Sequence, residues 1–185
     1  APFPGDPNLV FRISPTGQAS VLADVSTWVP PFVHGGNTYR YAAAINGVAA
    51  DAAGTVYAAG VNGVILKITA AGEVTLLAGS PGALGHVDGQ GSAARFSILG
   101  NMTLDQAGNL YVVDGLNDAF TGIGPTIRKI TPAGEVTTLA GTAGVSGSTD
   151  ATGAAASFRD PRGIATDSAG NVYVADTDKI GRAHV

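Results

Sequence analysis

Two stretches of this chain are near copies of one another, and repetition on their scale rules out most folds. Residues 65–80 read ILKITAAGEVTLLAGS and residues 127–142 read IRKITPAGEVTTLAGT, identical at 12 of 16 positions with Ile65 aligned on Ile127. A third, weaker copy runs from Val10 to Ala23, with Gly17 aligned on Gly72. A second module recurs three times, as NGVAADAAGTVYAAG from Asn46, GNMTLDQAGNLYVVD from Gly100 and RGIATDSAGNVYVAD from Arg162. Self-similarity of this kind marks an array of supersecondary units, each burying its faces against its neighbours.

Each module reads as a hairpin. In Asn171-Val172-Tyr173-Val174-Ala175 the β-branched and aromatic residues mark a strand. Asp167 to Asn171 before it reads as a turn, with an Asp that bonds nearby backbone N–H groups and a Gly that takes positive φ. The other module has Lys129-Ile130-Thr131, a turn at Pro132 to Glu135, then Val136 to Leu139. Naming the two hairpins ab and cd gives a four-stranded unit, the usual size of a propeller blade. Blades converge at an axis, and Ala49, Ala50, Ala58, Ala59, Ala165 and Ala175 suit crowding there. The expected fold class is therefore all-β, a β-propeller of four-stranded blades. Its units are a lone cd hairpin at 10–23, blades at 45–79 and 99–141, and a lone ab hairpin at 161–176, together one propeller unit over 1–185.

The stretch from Gly141 through Gly144, Gly147, Asp150, Gly153, Ala156 and Phe158 to Pro161-x-Gly163-Ile164-Ala165, Asp167, Gly170-Asn171-x-Tyr173-Val174-Ala175-Asp176 resembles the NHL repeat. The preceding copy carries Gly79, Gly82, Gly85, Asp88-Gly89, Gly91, Ala94 and Phe96 at the matching places. Two repeats fit and a third is degenerate. The resemblance implies the propeller fold but is broad in function, since NHL propellers include RNA-binding and protein-binding modules and an amidating lyase that uses zinc, and streptogramin lyases have a similar propeller.

Strand order carries a sharper expectation. A lone cd hairpin, two full blades and a lone ab hairpin make three blades of strands, too few to close a ring. Two copies exchanging end hairpins would close six blades in a two-fold homodimer, an isologous arrangement that also hides apolar faces and open strand edges. Residues 179–185 depart from the NHL continuation, so the alternative expectation is a piece of a longer propeller.

Composition limits function. With net charge −4 and 13% charged residues, the chain lacks the basic footprint of a nucleic-acid binder. It has no cysteine, so disulfides and thiolate metal sites are excluded. No stretch approaches the ~20 apolar residues of a membrane span. The start Ala1-Pro2-Phe3-Pro4, without Met, fits either a mature end left after signal removal or a cut in a longer chain, with export the favoured expectation.

Function is expected where sequence varies, in the d-to-a links 24–44, 80–98 and 142–160 and the b-to-c loop from Gly115 to Pro125. The first link holds Trp28, Phe32, His34, Tyr39, Arg40 and Tyr41, which could stack on a ligand or pack the link itself. His86, Asp88, Arg95 and Arg159 are further ligand-binding candidates, and Asp150, Asp160 and Arg162 lie nearby. His34 and His86 are weak candidates for a divalent ion, since no HxH or HExxH spacing supports them and His86 aligns with Ser148. No cofactor is expected. Asp51, Asp105 and Asp167 recur at turns and read as turn residues; Asp114 and Asp176 end strand b where the first blade has Gly60, and read as structural. The run Gly79 to Gly85 is no phosphate loop, and no Gly-x-Ser-x-Gly elbow occurs. The favoured reading is a scaffold that binds a protein or small ligand on its top-face loops. A lyase or hydrolase with a site at the channel mouth is the first alternative, and RNA binding the second.

Overall fold

The computed structural model describes residues 8–28, 32–34, 37–39, 45–60, 62–115 and 124–177. Arg40, Tyr41, most of the Gly115–Pro125 loop and the tail 178–185 lie outside them. Every regular element described is a strand or a single 3-10 turn.

The chain opens with hairpin β1 (Leu9–Ile13) and β2 (Ala19–Asp24). A short hairpin follows inside the first link, β3 (Phe32–His34) with β4 (Asn37–Tyr39). The first full sheet runs in order β5 (Ile45–Ala50), β6 (Val56–Gly60), β7 (Val64–Ile68), β8 (Val74–Gly79). The second sheet holds β9 (Gly89–Gln90), β10 (Leu99–Leu104), β11 (Leu110–Asp114), β12 (Thr126–Ile130) and β13 (Glu135–Ala140). Hairpin β14 (Asp160–Thr166) and β15 (Val172–Thr177) closes the series.

The hairpins form for the reasons their turns advertise. Asp51 Oδ1 accepts the N–H groups of Ala53 and Thr55 at 2.9 and 2.8 Å, and Gly54 takes φ +82°. Asp105 and Asp167 repeat the arrangement, and each adds a bond from a strand tyrosine hydroxyl, Tyr111 at 3.1 Å and Tyr173 at 2.8 Å. These aspartates are turn residues, as their sequence context implied.

Two features depart from the four-stranded expectation. The link before the second sheet lays β9 along the outer edge of β13, pairing Gln90 with Glu135 and Gly89 with Val136. Gln90 Nε2 also donates to the Ala133 carbonyl at 2.6 Å. The start of a strand edge that would invite another chain is thereby covered. The first link, expected to be loop, contains the β3–β4 hairpin.

The inner strands are β5, β10 and β14. Asn46 Nδ2 donates to the Leu99 carbonyl at 3.0 Å, Asn101 Nδ2 to the Arg162 carbonyl at 2.6 Å, and Thr166 Oγ1 to the Leu104 carbonyl at 2.7 Å. A Cβ on Gly47 would run into the Gly100 carbonyl oxygen, so only glycine permits this approach of β5 to β10. Of the alanines expected at the axis, Ala49, Ala50 and Ala165 lie on inner strands. Ala58 and Ala59 instead sit fully buried on β6, where the crowding comes from the sheets packed on either face.

Two apolar layers hold the sheets. Val10, Ala23 and Val25 pack with Ala58, Val64, Leu66 and Ile68, joining the first hairpin to one face of the first sheet. Tyr57, Ala59, Ile65 and Ala78 on the opposite face pack with Phe96, Met102, Leu110, Val112 and Ile130, joining the first sheet to the second. Other side chains of the two end hairpins lack such cover among the described residues. Phe11 and Ile13, at the positions of Leu66 and Ile68, are 56% and 70% exposed. Tyr173 is 41% exposed where Tyr57 and Tyr111 are buried.

Candidate functional site

The densest polar cluster lies where the link 80–98 crosses the second sheet, and it is centred on Arg128. Its strand, β12, pairs with β11 so that Arg128 faces Val112 across the ladder and Thr126 faces Asp114. Arg128 and Asp114 are fully buried. Arg128 Nη1 donates to Asp114 Oδ2 at 2.6 Å, and Nη2 donates to Asp88 Oδ1 at 2.7 Å. The Val87 and Arg95 carbonyls accept from the same guanidinium at 3.1 and 3.2 Å, and its Cζ lies 5.1 Å from the Phe96 ring centroid. Only Nε lacks a partner among the described residues. A buried guanidinium needs this degree of satisfaction, because desolvating it costs several kcal/mol.

The link supplies all of these contacts except that of Asp114, and is itself ordered by them. Asp114 Oδ1 accepts the Ser97 N–H at 2.7 Å, fixing the end of the link to the end of β11. Asp88 accepts the Thr138 N–H at 3.0 Å and hydroxyl at 2.9 Å, fixing the link to β13. Partial burial raises the pKa of Asp88, but the bonds from Thr138 and Arg128 outweigh it, so its carboxyl titrates below the usual range. Val87 and Arg95 bond each other through both N–H groups, closing the link on itself.

His86 sits on this cluster with both ring nitrogens in polar contact. Its Nε2 lies 3.3 Å from Thr138 Oγ1, whose hydrogen is directed to Asp88, so Nε2–H is the donor. Nδ1 lies 3.3 Å from Arg128 Nη1, 3.4 Å from Asp114 Oδ2 and 3.5 Å from the Thr126 hydroxyl. Among the described residues no three His, Asp or Glu side chains come together as a metal set.

The other candidates are dispersed. Trp28 is half-buried against the first apolar layer, and its carbonyl accepts from Asn62 Nδ2 at 3.2 Å. His34 and Tyr39 lie on β3 and β4, in register with Asn37 and Phe32. Arg95 turns its Nη1 onto the Ser92 and Ala94 carbonyls at 2.6 and 2.7 Å. Arg159 is exposed, and its N–H is held by Asp176. Arg162 pairs with Asp160 at 2.8 Å on the surface. Asp114 and Asp176 do the structural work expected of them, each holding the end of a link. Sequence reasoning missed Arg128, together with Thr126 and Thr138. The available signal was that Arg128 replaces Leu66 between near-identical repeats while Asp114 replaces Gly60.

Residues 158–179 match the NHL repeat model. No curated protein matches the chain. Among solved structures, an auxiliary nutrient binding protein from Bacteroides thetaiotaomicron is similar with TM-score 0.62 and 23% identity, over 92% of this chain and 41% of that one. A protein of unknown function from the same species matches with TM-score 0.61 and 22% identity, over 87% and 48%. A gluconolactonase from Xanthomonas campestris matches with TM-score 0.56 and 16% identity, over 94% and 48%. At these identities the likeness shows the fold, a propeller. The chain spans about half the length of the structures it matches. No helix among the described residues is long and apolar enough to cross a membrane.

Proposed function

We propose, for a chain that carries an NHL repeat in a propeller fold, that it is part of a closed ring whose top-face links bind a small molecule or a protein. The observation that carries this reading is the anchoring of the 80–98 link by Arg128, Asp114 and Asp88, which presents the loop in one fixed conformation. Preorganised loops on a rigid sheet bind without a large ordering cost. The similarity to a nutrient binding protein agrees with it. A screen of sugars, peptides and other small metabolites by thermal shift should find a ligand whose effect is lost when the top-face links are altered. A metal-dependent lactone hydrolysis or elimination by the purified protein would instead establish the enzymatic alternative. Retention of RNA that weakens steeply with salt would establish the other.

Closure needs more strands, because Phe11, Ile13 and Tyr173 are exposed on the end hairpins. Two sources are open. A second copy can supply its β1–β2 hairpin, as in the six-bladed homodimer, or a cd hairpin of different sequence can take the same place. Solution mass by light scattering separates them: twice 18.3 kDa supports the homodimer, and a monomer contradicts it.

A further inference from the structure

We propose that two copies of the chain join through their ends, the β14–β15 hairpin of one laying Ala165, Tyr173 and Ala175 over Val48 of the other, once in each direction. This rests on the reading that one chain is an incomplete ring, and takes a second copy as what completes it. The contact is made by sheet faces and asks nothing of the strand edges.

The junction between the first and second sheets shows how such a contact is built. Val48 and Met102 take the same place on the inner strands β5 and β10. Met102 is 7% exposed, in one apolar layer with Tyr57, Ala59 and Ala49 of the preceding hairpin. Val48 is 56% exposed. The group that covers Met102 recurs at the other end of the chain. Ala165 pairs with Tyr173 and Gly163 with Ala175, in the register by which Ala49 pairs with Tyr57 and Gly47 with Ala59. Tyr57 and Ala59 are buried, whereas Ala165, Tyr173 and Ala175 are all exposed. Gly47 admits the close approach of β10, since a Cβ there would strike the Gly100 carbonyl, and Gly163 stands in its place on β14.

The outer halves of the two ends match in the same way. Leu22 packs in one layer with Leu66, Ile68 and Leu76, and Leu77 packs against the next layer. Leu139, the counterpart of Leu22 and Leu77, is exposed, and so are Phe11, Ile13 and Val21, the counterparts of Leu66, Ile68 and Leu76. Among the described residues eight large apolar side chains are exposed, and six of them stand on these end faces: Phe11, Ile13, Val21 and Val48 at one, Leu139 and Tyr173 at the other. The exposure therefore belongs to the ends and not to the surface at large. Each end carries the half of a junction that the other lacks, so a second copy related by a two-fold axis satisfies both ends at once. An aromatic ring seated in such a layer is a common anchor of an interface.

The test is sedimentation equilibrium of the purified chain, of its Val48→Asp and Tyr173→Lys variants, and of the two variants mixed. Both side chains are exposed in the single chain, so each variant should keep the wild-type fold, checked by circular dichroism. The expected result is a wild-type dimer that either substitution weakens at least about a hundredfold, because a variant homodimer buries an unpaired charge at both junctions. Mixing the variants should restore dimers, since the mixed pair has one native junction and one that joins opposite charges. A wild-type dimer that neither substitution weakens, or variants that stay apart when mixed, overturns the proposal. A wild-type monomer overturns it too, and binding of a hydrophobic dye then separates the two readings. A monomer that binds the dye still exposes its ends and leaves the incomplete ring standing, whereas one that binds none contradicts that reading as well.

Discussion

The same face of two successive sheets is built in opposite ways. In the first sheet Val64, Leu66 and Leu76 meet the first hairpin, Val25 and Trp28 in an apolar layer, and Gly60 leaves room for Val64 and Asn62. In the second, Thr126, Arg128 and Thr138 occupy those places, Asp114 replaces Gly60, and the partner is a polar link. The backbone frame is nearly unchanged, with the same turns and a β-bulge at the same step of each cd hairpin. What changes is the nature of the specification. An apolar layer tolerates any packing of similar volume, whereas a buried arginine accepts one arrangement of its acceptors. The charged face therefore fixes the path of its link atom by atom.

Breaking either face tests the contrast. The largest loss is expected from Arg128→Leu, which leaves the buried Asp114 carboxylate without its counter-charge and should cost about 3–5 kcal/mol by denaturant unfolding. Leu66→Ala removes packing from the apolar face and should cost about 2–5 kcal/mol, with no dependence on salt or on pH near neutrality. Asp88→Asn should cost less, about 1 kcal/mol, because that side chain is half exposed and its charge is partly screened. The smallest effect concerns a turn. Side-chain and backbone bonds from Asn171, then the Tyr173 hydroxyl, hold the Asp167 carboxyl down to about 2. Its folded pKa lies below the unfolded value of about 3.9, so its contribution is present above pH ~4 and is lost as pH falls towards about 2. Asp167→Asn should flatten the pH profile of stability in that window, and near pH 7 it should lower stability slightly without adding any dependence on pH.

The repeat architecture was legible because turn chemistry and strand pattern agree at each copy. Asp51, Asp105 and Asp167 announce their turns locally, and the strands between them follow. The Arg128 cluster was not legible in the same way. Its members come from the link, β11, β12 and β13, so sequence neighbours do not reveal it, and an arginine within a strand reads first as a solvent-facing residue. Only the paired exchange of Leu66 for Arg128 and Gly60 for Asp114 between near-identical repeats pointed there. The β9 strand was hidden because two residues carry no periodicity. His34 and Tyr39 were singled out for their chemistry within a link read as loop, and the β3–β4 hairpin that carries them has no counterpart in the other repeats.

The most direct test of the contrast is a double-mutant cycle on Arg128 and Asp114, comparing Arg128→Leu, Asp114→Gly and the pair that installs the first sheet's combination. The charged-lock account predicts that the double variant recovers much of the stability lost by Arg128→Leu, with a coupling of at least about 2 kcal/mol. Additive losses, with coupling near zero, would contradict it.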